Sequence, residues 1–292
     1  MKRERQNLVF SVSRSFHARR ELFVGGMAAL RFGEEYPQKV MTSSLSTADI
    51  RGILLDIEGT TTPIVFVHEV LFSYARSRVK EYLADHFDSA ELQADLAKLR
   101  EEHTNDLKQN LRPPLLVEGP RDAKIDSIVA YVNWLIDSDR KSRGLKALQG
   151  KIWRKGYLDG TLKAQLFPDV APALERWRRA GLKISIFSSG SSLAQKLLFA
   201  HTEAGDLTGF ISNYFDTTVG SKTDVEGYRQ IAAALCLPAN EVLFISDVVN
   251  ELAAASSAGM RTLLCVRPGN QPLGSPERYQ IIQSFNEISV PG

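Results

Sequence analysis

The sequence predicts an α/β fold: a doubly wound parallel sheet with an all-helical segment inserted after the first strand. Three observations predict it. Short apolar runs end in polar or turn residues, as buried parallel strands do: Ile53-Leu54-Leu55, Lys183 to Phe187, Glu241 to Asp247 and Arg261 to Val266. From Val170 onwards these runs alternate with helical stretches, the rhythm of βαβ units. From about Phe66 to Leu162 no strand pattern interrupts a helix-rich region.

In chain order, the first strand runs into Asp56-Ile57-Glu58-Gly59-Thr60-Thr61-Thr62-Pro63, an acid-rich turn. Phe66 to Phe87 carries Val67, Val70, Leu71, Tyr74, Val79, Tyr82 and Leu83 near helical spacing. Ala90 to Leu107 is helical by its Leu, Ala, Glu and Lys content. Pro113-Pro114 and Gly119-Pro120 make Asn110 to Pro120 a loop. Ile125 to Asp137 and Lys141 to Leu148 read as helices, with Gly150 and Gly156 to Gly160 expected to close the insertion. Val170 to Ala180 is a helix with Pro172 in its first turn and Gly181 as its stop. Ser188-Ser189-Gly190-Ser191 leads from a strand into a helix over Ser192 to His201. Phe210 to Phe215 is a short strand ending at Asp216, and Asp224 to Leu235 a helix. The strand ending at Asp247 precedes a helix from Glu251 to Ala258, and Arg267-Pro268-Gly269-Asn270 follows the last strand.

With 292 residues, 43% of them hydrophobic, the chain can build a full core. A net charge of +2 argues against a nucleic-acid or membrane surface as partner. No apolar stretch approaches the roughly 20 residues that span a bilayer. Cys236 and Cys265 lie in apolar segments and read as buried hydrophobes of a reducing compartment. The first forty residues hold eight Lys and Arg against four Glu, out of 36 and 34 in the chain, leaving 28 against 30 elsewhere. Four glutamates argue against a transit peptide; Arg31 and the lack of an apolar stretch argue against a signal peptide. The favoured reading makes Met41 the start, with 1–46 an extension, disordered or not native, that carries no chemistry.

Several strand ends carry groups suited to phosphoryl transfer: Asp56 and Glu58, Ser188 and Ser189, and Asp247, with Lys222 in a nearby loop. Parallel strands bring such ends to one edge of the sheet. A phosphate monoester is anionic and resists anionic attack, which Mg²⁺ on hard oxygen ligands offsets. Asp56 and Asp247 can supply carboxylate oxygens, and Glu58 its carbonyl or carboxylate. Asp56 can attack phosphorus, Ser188 can cradle phosphate oxygens, Lys222 can neutralise charge, and Glu58 can shuttle a proton. Singly, each residue has a plainer reading. The two aspartates could be caps, the serine run an N-cap, Lys222 a surface lysine and Glu251 first-turn helix charge. His68, His86, His103 and His201 lack ligand spacing, and Trp134, Trp153 and Trp177 read as core. It is the joint order that favours chemistry.

That order resembles the haloacid dehalogenase-like hydrolases, whose nucleophile motif is Asp-x-Asp-Gly-Thr; here Glu58 stands in the second acid position. Asp-Ile-Glu-Gly-Thr-Thr-Thr-Pro is similar to the enolase-phosphatase family of methionine salvage. So are Leu148-Gln149-Gly150 with Trp153, Phe187 to Ser191, Ala194 to Phe199, Tyr214 to Thr217 and Arg267 to Asn270. The resemblance runs from about Ile53 to the C-terminus. It implies a Rossmann-like catalytic core over 47–65 and 163–292, with a mobile helical cap over 66–162. It also implies a monomer with one Mg²⁺, acting in the cytoplasm, or in the nucleus as well if the source is eukaryotic. The implied reaction enolises 2,3-diketo-5-methylthiopentyl-1-phosphate and then removes its phosphate. Asp56, Glu58 and Asp247 match the family's magnesium site, and Ser188, Ser189 and Lys222 its substrate contacts. A phosphatase for another small ester is the alternative. A dehalogenase would not need Asp247, and a scaffold need not keep Asp56, Lys222 and Asp247 together.

Overall fold

The computed structural model describes residues 49–289 except 139, 141 and 271–275. The expectation for 1–46, and for Met41 as the start, falls outside them. β1 (Gly52–Leu55) leads into the Asp56 turn and a π-helix, Phe66–Phe72. Four helices follow: α1 (Ser73–His86), α2 (Ala90–Lys108), α3 (Arg121–Asp137) and α4 (Arg143–Leu158). Then come α5 (Val170–Arg179), β2 (Lys183–Phe187), α6 (Ser192–Ala200), β3 (Asn213–Phe215) and α7 (Val225–Leu235). The chain continues through β4 (Val242–Ser246), α8 (Val249–Ser257), β5 (Arg261–Cys265) and β6 (Ile281–Ile282). All six strands are parallel, in the order β3-β2-β1-β4-β5-β6.

Successive strand residues point to opposite faces, and both faces are covered, which explains why the strands read as unbroken apolar runs. Ile53, Leu55, Ile184, Ile186, Leu243 and Ile245 pack with Leu174 and Trp177 of α5. Leu54, Val242 and Phe244 pack on the other side with Tyr228 and Ile231 of α7 and Leu252 of α8. β1 is central: Leu55 stands opposite Ile186 of β2 and Ile245 of β4. The chain leaves β1 toward β2 on one side and β4 on the other, so Asp56 emerges where the connections diverge, the usual ligand crevice of such sheets.

The insertion between β1 and α5 is helical, as expected, but its last helix is longer. Gly150 and Gly156 lie inside α4, and Gly160, at φ +77°, marks its end. Close packing explains Gly156 and, in the first turn, Gly144. A Cβ on Gly144 would come within 2.7 Å of Leu99 Cγ, and one on Gly156 within 2.7 Å of the Tyr74 ring. The helix-propensity cost of glycine, about 1 kcal/mol each, is outweighed by that approach. The run from Phe66 opens as a π-helix rather than continuous α-helix. β3 is shorter than expected, because Thr208–Phe210 forms a 3₁₀ turn, and β6 had no sequence signal of its own. Cys236 is exposed, not buried: it takes the left-handed closing position of α7 at φ +53°, whereas Cys265 is buried as expected. Among the described residues no helix is long and apolar enough to cross a membrane.

Arg267 ties the carboxyl edge together. Its guanidinium forks onto Asp169 at 3.0 and 2.9 Å and donates to Thr60 O at 3.2 Å and Gln283 O at 2.8 Å. The rings of Phe167 and Phe285 lie 4.6 and 4.7 Å from it. Asn270 Nδ2 donates to Gly59 O at 3.0 Å. The Arg267 to Asn270 segment is thus a brace for the turn after β1. Arg267→Met leaves Asp169 buried without its cation, so it should cost about 3 kcal/mol and lower Tm by roughly 6–12 °C. Thermal melts check this; an unchanged Tm would mean the brace carries no stability.

Candidate active site

β1 delivers Asp56 to the carboxyl edge, buried at 4% exposure. Its Oδ1 accepts from Lys222 Nζ at 2.6 Å and from the Ile57 N–H at 2.7 Å. Among the described residues Oδ2 accepts only a longer contact, 3.3 Å from Ser246 Oγ. Lys222 also pairs with Glu251 Oε2 at 2.7 Å, and its main-chain carbonyl accepts from Tyr228 OH at 2.7 Å. Burial alone would lower the lysine pKa, but attraction to Asp56 and Glu251 pushes it up to about 12. Lys222 therefore stays charged across the physiological range.

Asp247 follows β4 directly. Its Oδ1 is buried with no hydrogen-bond partner among the described residues. Burial, then repulsion from Asp56, raises its pKa to about 7. The turn after β1 approaches it closely: a Cβ on Gly59 would lie 2.2 Å from Asp247 Oδ2, and φ is +72° there, so both space and backbone require glycine.

The structure thus brings Asp56, Lys222 and Asp247 together, as the strand-end reading expected. It adds Ser246, which that reading missed, and Glu251, which that reading took first as first-turn helix charge and only second as a residue behind a metal site. Glu251 is not merely first-turn charge on α8. It is buried, paired to Lys222, and accepts from Ser246 Oγ at 3.0 Å. Burial and repulsion from Asp56 raise its pKa. Its spacing, one helical turn after Asp247, was the available signal. Asp56, Asp247 and Glu251 set three buried carboxylates against one ammonium. With the orphaned Asp247 oxygen, this hard-oxygen surplus of negative charge fits a divalent cation such as Mg²⁺. Among the described residues no three His, Cys, Asp or Glu side chains form a metal-holding group.

The serine loop lies beside β1. Ser188 is buried, and its Oγ accepts from the Gly190 N–H at 3.1 Å, so its own hydroxyl proton is available to a ligand. The capping role falls to Ser191, whose Oγ accepts from the Ala194 N–H at 3.3 Å. Ser188, Ser189 and Glu58 line a cleft between the sheet edge and the helical insertion. The same cleft is lined by the apolar side chains of Leu71, Phe72 and Trp153 from the insertion and Leu198 from α6. Trp153 is core, as read, but also cleft wall, fixed by its Nε1–H donating to Leu71 O at 2.8 Å. His201 lies outside the charged cluster; it stacks on Tyr157 with ring centroids 5.2 Å apart.

Comparison with known proteins agrees with this geometry. A family model for haloacid dehalogenase-like hydrolases matches residues 50–259. The enolase-phosphatase E1 of Synechococcus elongatus is 51% identical over 241 residues, covering 82% of this chain and 98% of its own. That of Danio rerio is 41% identical over 249 residues, covering 83% and 95%. A probable bifunctional methylthioribulose-1-phosphate dehydratase/enolase-phosphatase E1 of Arabidopsis thaliana is 44% identical over 243 residues, 82% of this chain but 48% of that longer protein. The UTR4 protein of Saccharomyces cerevisiae superposes with a TM-score of 0.65 at 32% identity, covering 81% of this chain and 98% of that one. The chain belongs to the haloacid dehalogenase-like hydrolases and, within them, to the enolase-phosphatases.

Proposed function

We propose that the chain is a Mg²⁺-dependent enolase-phosphatase of methionine salvage. It converts 2,3-diketo-5-methylthiopentyl-1-phosphate to 1,2-dihydroxy-3-keto-5-methylthiopentene and phosphate. One observation carries this reading: Asp56, paired with Lys222 at 2.6 Å, directly precedes Ile57 and Glu58, which line a cleft together with Ser188, Ser189 and the apolar side chains of Leu71, Phe72, Trp153 and Leu198. The phosphate is placed against Ser188 and Ser189, and the methylthio tail against Leu71, Phe72, Trp153 and Leu198. The insertion over 66–162 acts as a cap that shuts water out.

Lys222 and the Ile57 N–H hold Asp56 Oδ1, which leaves Oδ2 to attack phosphorus. The Oδ2–P bond forms as the ester P–O bond breaks; the oxygen on C1 leaves and takes a proton from Glu58. Water then hydrolyses the aspartyl-phosphate, with Glu58 accepting its proton. Mg²⁺ held by Asp56, Asp247 and the Glu58 carbonyl would offset the charge between carboxylate and phosphate. In the preceding enolisation Glu58, which lines the cleft, reaches about one C–C bond (roughly 1.5 Å) further than aspartate would. The chain works as a monomer on a small molecule, in the cytoplasm.

The deciding experiment supplies the diketo phosphate with Mg²⁺ and follows enol absorbance and free phosphate separately. Phosphate without enol would favour a phosphatase for another small ester. Glu58→Asp should slow enol formation more than phosphate release from a simple ester; equal losses would remove Glu58 from the proton transfer. After chelation, saturating Mg²⁺ should raise the wild-type Tm, since ligand at 100 times its Kd stabilises by about 2.7 kcal/mol. Asp247→Asn should lose most of that rise. A Tm response as large as wild type would take Asp247 out of the metal site.

A further inference from the structure

Two glutamines in the cleft have no role in the steps above. Gln195, one turn into α6, is 1% exposed and lines the cleft beside the serine loop. Its Nε2 donates to Gly190 O at 2.9 Å and to Phe215 O at 2.8 Å. Turning the amide over would set its oxygen against both carbonyl oxygens, so two acceptors fix which end is nitrogen. Oε1 is thereby locked, and it is buried with no hydrogen-bond partner among the described residues. An unmet buried acceptor is costly. Gln149, on α4, is 6% exposed, lines the same cleft, and its amide bonds no described residue. α4 passes near the serine loop here: a Cβ on the adjacent Gly150 would lie 3.6 Å from Ser191 Oγ.

The two forms of the substrate differ in hydrogen-bonding sense. The carbon chain of the diketone offers acceptors only. Its enol offers one O–H donor next to the remaining ketone acceptor. We propose that Gln195 Oε1 accepts the enol hydroxyl while the Gln149 NH₂ donates to the neighbouring ketone oxygen, so that the cleft is complementary to the enol rather than to the diketone. This rests on the functional reading above.

Enolisation removes one proton from C1 and delivers one to the C2 oxygen. The C1–H electron pair becomes the C1=C2 π bond, and the former C=O π pair holds the new O–H bond. No group leaves and nothing is oxidised. Facing the diketone, Oε1 meets another acceptor and gains nothing. Its hydrogen bond forms only as the proton arrives on oxygen, which makes it an interaction of the transition state and the enol. Anchoring the phosphate at Ser188 and Ser189 holds C2 within a few bonds of the serine loop, where Gln195 is fixed through Gly190.

The plainer alternative is that Gln195 merely props the Gly190 carbonyl. Gln195→Met and Gln149→Met separate the two. Enol formation from the diketo phosphate and phosphate release from an alkyl phosphate lacking carbonyls are measured for each. The inference expects enol formation to fall about tenfold more than phosphate release in Gln195→Met, the worth of one good hydrogen bond. Gln149→Met breaks no contact to a described residue and should show the same imbalance, about threefold or more. If Gln195→Met loses its circular-dichroism signal, Gln149→Met carries the decision. Equal losses in both reactions overturn the enol-recognition role. A wild type that releases phosphate but never forms enol overturns the functional reading, and this inference with it.

Discussion

Everything at the carboxyl edge depends on one buried ammonium. Lys222 sits between Asp56 and Glu251 at 2.6 and 2.7 Å, with a side chain only 10% exposed. Burying a lone charge is prohibitive, and burying three carboxylates around one cation is only partly better. The arrangement is tolerable because each group is tethered by backbone. Asp56 and Asp247 extend adjacent central strands, Glu251 rides the first turn of α8, and Lys222 is held at its carbonyl by Tyr228. Such tethering fixes charges where a flexible surface would let them move apart. The negative surplus that remains is what a phosphoryl-transfer site needs filled by a divalent ion.

Rigid charges require a rigid turn, and the turn after β1 has little intrinsic stiffness. Its shape is imposed locally by Thr61 and Thr62 amides bonding back to Ile57 O at 2.9 Å each. From outside, Arg267 and Asn270 hold the carbonyls of Thr60 and Gly59. Glycine at 59 then lets the turn come close enough to Asp247 for the two elements to share one ligand space. Three segments distant in sequence therefore act as one mould around Asp56.

Much of this was legible beforehand, for identifiable reasons. Parallel strands buried on both faces leave unbroken apolar runs, and whatever follows each run must emerge at the same edge. Asp56, Ser188 and Asp247 could be read from that rule alone. Glu251 could not, because a first-turn glutamate has an adequate local explanation in the helix dipole, and only the fold reveals Lys222 beside it. The length of α4 is not legible because glycine reads as a stop, whereas here Gly156 makes room for Tyr74 and the helix runs on to Leu158. Cys236 was misread because a left-handed closing position is a backbone demand that side-chain hydrophobicity does not announce. The Arg267 to Asn270 segment was visible only as a family signature; its bracing role needed Asp169, nearly a hundred residues away.

The remaining question is how one site serves two reactions of different kinds. Phosphoryl transfer needs an anionic nucleophile surrounded by cations, whereas enolisation needs a proton moved off carbon. The two demands coexist because they act on adjacent atoms of one anchored ligand. In the proposed reading the phosphate is fixed at the serine loop, so C1 and C2 have little freedom, and Glu58 lies two residues from Asp56, the proposed nucleophile. Enolisation then changes the ligand without moving it. The same anchored phosphate is presented to Asp56 afterwards, now on an enol whose hydroxyl and ketone face amides rather than charges. In the proposed reading the cluster of Asp56, Lys222, Asp247 and Glu251 serves phosphoryl transfer, while the neutral amides of Gln149 and Gln195 serve the enol, so the two reactions draw on different groups around one anchored ligand.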